Sequence, residues 1–235
     1  VNLGLRQLFL FNRIEMNIKK LEPYNIYFGL FDCQYFVTST LVRIQEYYES
    51  SSDLFRNKVF DLDSYMDWYA LTHAGKFSYF EDWVGFNIPG EVIQKWANDF
   101  SSIGYRAKEK ELLSKLPIDS KERWYFIATH KSADNSVSAH EIAHALWYLN
   151  DEYRTACQKN IEQMSVDVKE IATTYLKSRG YCDAVIDDEI NAYFATGDVE
   201  DLKKRVQISE DDLKKIIGIF GAEFNKYSQN IHKQL

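Results

Sequence analysis

Proline and cysteine are scarce in this chain, with three of each in 235 residues, and glycine is limited to ten. So little Pro and Gly argues against long linkers and disordered spacers. Cys33, Cys157 and Cys182 have no C-x-x-C spacing. That pattern points away from a structural zinc cluster and toward free thiols in a reducing compartment. No apolar run approaches the ~18 residues needed to span a bilayer. Leu3 to Phe11 is apolar, but Arg6 and Gln7 interrupt it and no small-residue cleavage site follows, so no signal peptide is read. The expectation is a cytoplasmic protein with no membrane partner; secretion by a signal-independent route would leave no mark in such a sequence. Basic residues are also short, 28 Lys and Arg against 35 Asp and Glu, for a net charge of −7 and a pI near 5.3. A phosphate backbone is therefore not expected as a partner. No repeat period is visible, which argues against a solenoid.

Hydrophobic residues make up 46% of the chain and aromatics 15%, enough for a sizeable core. The reading is one compact unit with two lobes, 1–120 of unassigned role and 121–235 carrying the chemistry. Tyr24 to Val42 is rich in Tyr, Phe, Ile and Val, with a strand near Asn25 to Phe31 and then a strand or early helix running to Glu49. Leu62 to Leu71 reads as an amphipathic helix. The aromatic stretch Phe77 to Asn87 is read first as strand and turn packed in the core, with a substrate groove as the alternative. A helix is expected over Glu91 to Phe100, and Arg106 to Leu116 is expected as a solvated helical connector.

Histidine is scarce too, five in all, yet two of them fall in His140-Glu141-Ile142-Ala143-His144. On a helix, positions i and i+4 share one face a turn apart, so both imidazoles can reach one ion. Glu141 lies beside them, where it can take a proton from a water that the ion activates. The surroundings suit that role. Trp124 to Thr129 is a β-branched and aromatic run that reads as a strand. Lys131 to Ser138 follows as a polar loop with Asp134, Asn135, Ser136 and Ser138 as cap and turn residues. A helix is expected from Ala139 to Leu149. Ser138 and Glu141 also fit a capping box, in which Glu141 would be structural.

With its H-E-x-x-H motif this segment resembles the zincin metallopeptidases. The resemblance implies an α+β, helix-rich domain with a small sheet preceding the motif helix. It also implies a Zn2+ cofactor, a peptide or protein substrate, and Glu141 as general base. It covers the motif helix and one later helix, well under half the chain. Which branch applies depends on the third ligand. The metzincin-like pattern needs Gly three residues after the second His and a His or Asp six after it; those positions are Trp147 and Asn150. The gluzincin-like pattern takes a Glu from a second helix. The segment Asp187-Asp188-Glu189-Ile190-Asn191-Ala192-Tyr193 fits it, with an acidic first turn and Gly197 at its end. The resemblance then implies His140, His144 and Glu189 as metal ligands, with Asp188 or Asp151 as alternatives to Glu189. Tyr193 or His130 would support an oxyanion. A di-iron site is disfavoured, because no second Glu-x-x-His exists.

Between motif and ligand helix, Asp151 to Arg179 reads as one amphipathic helix with solvated carboxylates. Helices over Val199 to Val206 and Ser209 to His232 close the sequence, the last with Leu213, Ile216, Ile217, Phe220 and Phe224 as its core face.

Overall fold

A computed structural model of the chain describes residues 15–235; the apolar Leu3 to Phe11 stretch lies outside them. The fold is α+β. Four strands form one sheet in the order β1-β2-β4-β3: β1 (Met16–Leu21), β2 (Ile26–Phe31), β3 (Phe86–Pro89) and β4 (Tyr125–His130). β1 pairs antiparallel with β2, β2 parallel with β4, and β3 antiparallel with β4. The parallel β2–β4 pair requires a crossover. It is made by α1 (Gln34–Glu49), α2 (Leu62–Thr72), the single turn α3 (Tyr79–Asp82), β3 itself, α4 (Gly90–Phe100) and α5 (Ala107–Lys115). After β4 the chain is all helix: α6 (Asn135–Leu149), α7 (Asp151–Glu162), α8 (Val166–Ser178), α9 (Ile186–Thr196), α10 (Val199–Arg205) and α11 (Glu210–His232). Among the described residues, no helix is long and apolar enough to cross a membrane.

The two-residue period of a strand divides the core. On β4, Tyr125 and Ile127 face a cluster completed by Ile26 and Phe28 of β2, Ile142 and Leu146 of α6, and residues of α7 to α11. Trp124, Phe126 and Ala128 face the other way, onto Phe86 and Ile88 of β3, Val37 and Leu41 of α1, and Trp96 of α4. Every residue of β4 is buried, as expected of a strand covered on both faces. The aromatic stretch contributes Tyr79 and Phe86 to this second core. Between them it turns once as α3 rather than running on as strand. Gly90 starts α4 because a Cβ there would collide with the Trp124 indole.

Four expectations are corrected. α6 begins at Asn135 rather than Ala139, since Asp134 is the cap, accepting from the Ser136 N–H at 2.7 Å. The expected helix over Asp151 to Arg179 is two, α7 and α8, broken at Gln163 to Ser165. β1 was not foreseen, because Asn17, Lys19 and Lys20 hide a strand that lies at the sheet edge. α5 is more than a solvated connector. Its Glu109 is fully buried and pairs through both oxygens with Arg43 of α1, the Nε–Oε1 distance being 2.8 Å, while Arg43 stacks 4.9 Å from the Phe100 ring. Breaking such a pair leaves a buried charge uncompensated. Glu109→Gln is expected to cost about 2–3 kcal/mol of unfolding free energy, measured by urea denaturation; an unchanged midpoint would show that the pair contributes nothing net.

Candidate metal centre

Helix α6 runs back along β4 and packs against α9, and the site lies where these two helices meet. The buried face of α6 is formed by Ile142, Ala143, Ala145 and Leu146. Ala143 and Ala145 on opposite flanks of α6, and Ala192 on α9, are fully buried, small side chains of the kind that let helices pack closely. Because the α6 cap is Asp134, Glu141 lies in the second turn and is not part of a capping box. It is free for other work.

Nitrogen atoms of His140 and His144 and a carboxylate oxygen of Glu189 all lie within 4.8 Å of one another. The two Nε2 atoms are 3.2 Å apart, and His144 Nε2 is 3.6 Å from Glu189 Oε1. His140 Nε2 is 3.9 Å from Glu189 Oε2. Asp188 does not join this group. Its Oδ2 lies 3.0 Å from Nδ1 of His144, on the far side of the ring from Nε2. It therefore fixes the orientation of the imidazole, in the position that a carboxylate takes behind a metal-bound histidine. Asp151 is remote, an exposed partner of Arg154 and Arg123.

Electrostatics divide the two imidazoles. Burial, the charge on His144 and Arg205 all hold His140 down, to about 3, so its lone pair stays free. Burial also works against charge on His144, but Asp188, Glu189 and Glu141 outweigh it and raise that ring well above the ordinary histidine range. One proton between two facing nitrogens suits the 3.2 Å contact. Glu189 is pushed up to about 7 by burial, with His144 pulling the other way. Its Oε2 is buried and has no hydrogen-bond partner.

Glu141, 8% exposed, sits between the histidines and the sheet edge. Its Oε2 accepts from Nδ2 of Asn87 on β3 at 2.7 Å, and Oδ1 of Asn87 accepts from the Tyr125 hydroxyl at 2.7 Å. Gly85, just before β3, lies flush against the same carboxylate: a Cβ there would collide with Oε1 and lie 2.8 Å from Val137 Cγ1. Burial raises the Glu141 carboxyl, opposed by His144 and by the Asn87 bond.

Tyr193 stands edge-on to His140, ring centroids 5.1 Å apart, and is followed outward by Tyr175 at 6.1 Å. Tyr181 neighbours both Tyr193 and Glu189. His130 turns instead to Ser132, Nδ1 to Oγ at 3.0 Å, and is outside the ligand group. The structure thus brings together His140, Glu141, His144, Glu189 and Tyr193. Sequence reasoning missed Asn87, Tyr125 and Gly85, and assigned Asp188 only as an alternative ligand. Asp188 had a usable signal, its place beside Glu189; the other three had none, since their contacts cross from one strand or loop to another element. No family model, curated protein or solved structure matches this chain.

Proposed function

We propose that this chain is a zinc-dependent metallohydrolase that cleaves peptide bonds, with Glu141 as general base. The observation that carries the reading is the convergence of His140, His144 and Glu189 donor atoms within 4.8 Å, with a second, differently held carboxylate, Glu141, beside them. The donor set fits a divalent ion on two counts. Two imidazoles and one carboxylate are a common catalytic zinc set that leaves a position open. A buried carboxylate oxygen without a partner, Glu189 Oε2, is costly unless a cation meets it. An ion held by His140, His144 and Glu189 would supply Lewis acidity toward a carbonyl oxygen and make water a better acid.

This chain's own residues do the rest. Glu141 takes the proton of the attacking water and passes it to the leaving amine, a transfer in which a positioned carboxylate with a raised pKa is effective. Asp188 keeps His144 turned with Nε2 inward. Tyr193, whose ring stands 5.1 Å from that of His140, would donate to the developing oxyanion. A peptide is favoured over other substrates because, among the described residues, β3, which carries Asn87, pairs with β4 on one side only. An edge strand beside the site can take an extended chain by main-chain hydrogen bonds.

Metal analysis of purified protein after zinc loading is expected to give about one zinc per chain. A quenched-fluorescent peptide library should then be cleaved in a chelator-sensitive manner. Folded protein that takes up no metal would overturn the reading in favour of a non-catalytic binding scaffold.

A further inference from the structure

Resting on the hydrolase reading, we propose that Asn87 is a positioning residue that acts through Glu141, itself locked in place by Tyr125. Three side chains from three elements form one chain of hydrogen bonds: Tyr125 hydroxyl to Asn87 Oδ1, then Asn87 Nδ2 to Glu141 Oε2, each 2.7 Å. The sheet register creates it. Asn87 lies opposite Ile127, and Tyr125 is two residues back on β4. Their side chains are diagonal neighbours on the α6 face of the sheet, within reach of each other.

The direction of the chain is fixed by Glu141, whose ionised carboxylate can only accept, whereas a phenol can both give and take a hydrogen bond. Asn87 must therefore turn its NH2 toward α6 and its amide oxygen, the only acceptor it offers, toward Tyr125. The buried phenol gives its one proton to that oxygen. One oxygen of Glu141 is thereby occupied and its rotation stopped, leaving Oε1 as the oxygen that moves a proton. Gly85 leaves the room that Oε1 occupies, since a Cβ there would collide with it. Asn is the side chain this link needs. Leucine would leave the Tyr125 hydroxyl and Glu141 Oε2 both unpaired. Aspartate would press a second negative charge on Glu141. Asn87 touches neither the ligand triad nor, on this assignment, the scissile bond; its effect is on where the base stands.

The test uses the zinc-loaded full chain and its Asn87→Ala and Tyr125→Phe variants. Acetohydroxamic acid is the first probe, because it chelates zinc and gives its hydroxyl proton to a neighbouring base. Calorimetry should show that Asn87→Ala weakens acetohydroxamate binding at least about tenfold, the worth of a charged hydrogen bond, with zinc content unchanged. On the best-cleaved peptide of the library, Asn87→Ala should lower kcat about 10–100-fold, the usual cost of removing an outer-shell partner, with KM within about twofold. Tyr125→Phe should move both readouts the same way by less. Equal acetohydroxamate affinity in wild type and Asn87→Ala, both holding zinc, would overturn the positioning role. So would loss of zinc together with affinity, which would mark Asn87 as part of the framework. Wild type that binds zinc and acetohydroxamate but cleaves no peptide would sink the peptidase reading alone, and the acetohydroxamate comparison would still decide the role of Asn87.

Discussion

Glu141→Gln should keep one zinc per chain and lose about 10²–10⁴-fold in kcat, the range a positioned general base supplies. The substitution is close to isosteric, and a Gln carbonyl can accept from Asn87 Nδ2 as Oε2 does now. The helix start is indifferent to the change, because the α6 cap is Asp134, seven residues upstream of Glu141. The ligand triad keeps all its donors. What disappears is basicity, since an amide cannot hold the proton between its removal from water and its delivery to the leaving nitrogen. Burying a neutral amide in place of a carboxylate also relieves a desolvation cost, because burial already pushes this group toward its protonated form. Glu141→Gln should therefore melt at or above the wild-type temperature. Loss of activity with normal zinc content and an undiminished melting temperature identifies the base. A variant that keeps wild-type turnover would remove Glu141 from the chemistry, and with it the hydrolase assignment.

Why some of this was legible and some not follows from how far each contact reaches along the chain. The α6 histidines are one turn apart, so helical period alone joins them. α2 and α11 could be read for the same reason, the latter capped by Ser209 as its sequence suggests. Glu189 needed a resemblance to single it out from neighbouring carboxylates, since no local rule brings α9 to α6. The start of α6 was misread because Asp134 and Ser138 are both competent caps, and the earlier one operates. The break between α7 and α8 was hidden because the apolar spacing continues through it, Ile161 and Val168 both facing the core. Asn87 lies 54 residues from Glu141. Its role depends on which strand pairs with β4 and in what register, and no periodicity encodes that pairing.

The adjacent carboxylates of α9 should separate cleanly in a metal competition assay. Glu189→Ala removes a donor atom from the triad and is expected to weaken zinc about 10³-fold, roughly one ligand's share of a site worth ~10–16 kcal/mol. Asp188→Asn leaves all three donors in place. It removes the carboxylate that receives Nδ1 of His144 at 3.0 Å, and such outer-shell losses cost about 10–100-fold. The two variants should also differ without metal. Both carboxylates carry a buried oxygen without a partner, but Glu189 lies 3.6 Å from the His144 ring against 3.0 Å for Asp188 and supports its charge less, so Glu189→Ala should leave the apo melting temperature closer to wild type. Asp188→Asn removes the largest of the influences that sustain charge on His144, and should lower it. Competition with a chromogenic zinc chelator gives the affinities and a thermal melt gives the second comparison. If Asp188→Asn loses zinc more completely than Glu189→Ala, the ligand is Asp188 after a turn of His144. The same result would mean that the metal enters from the Nδ1 side of that ring.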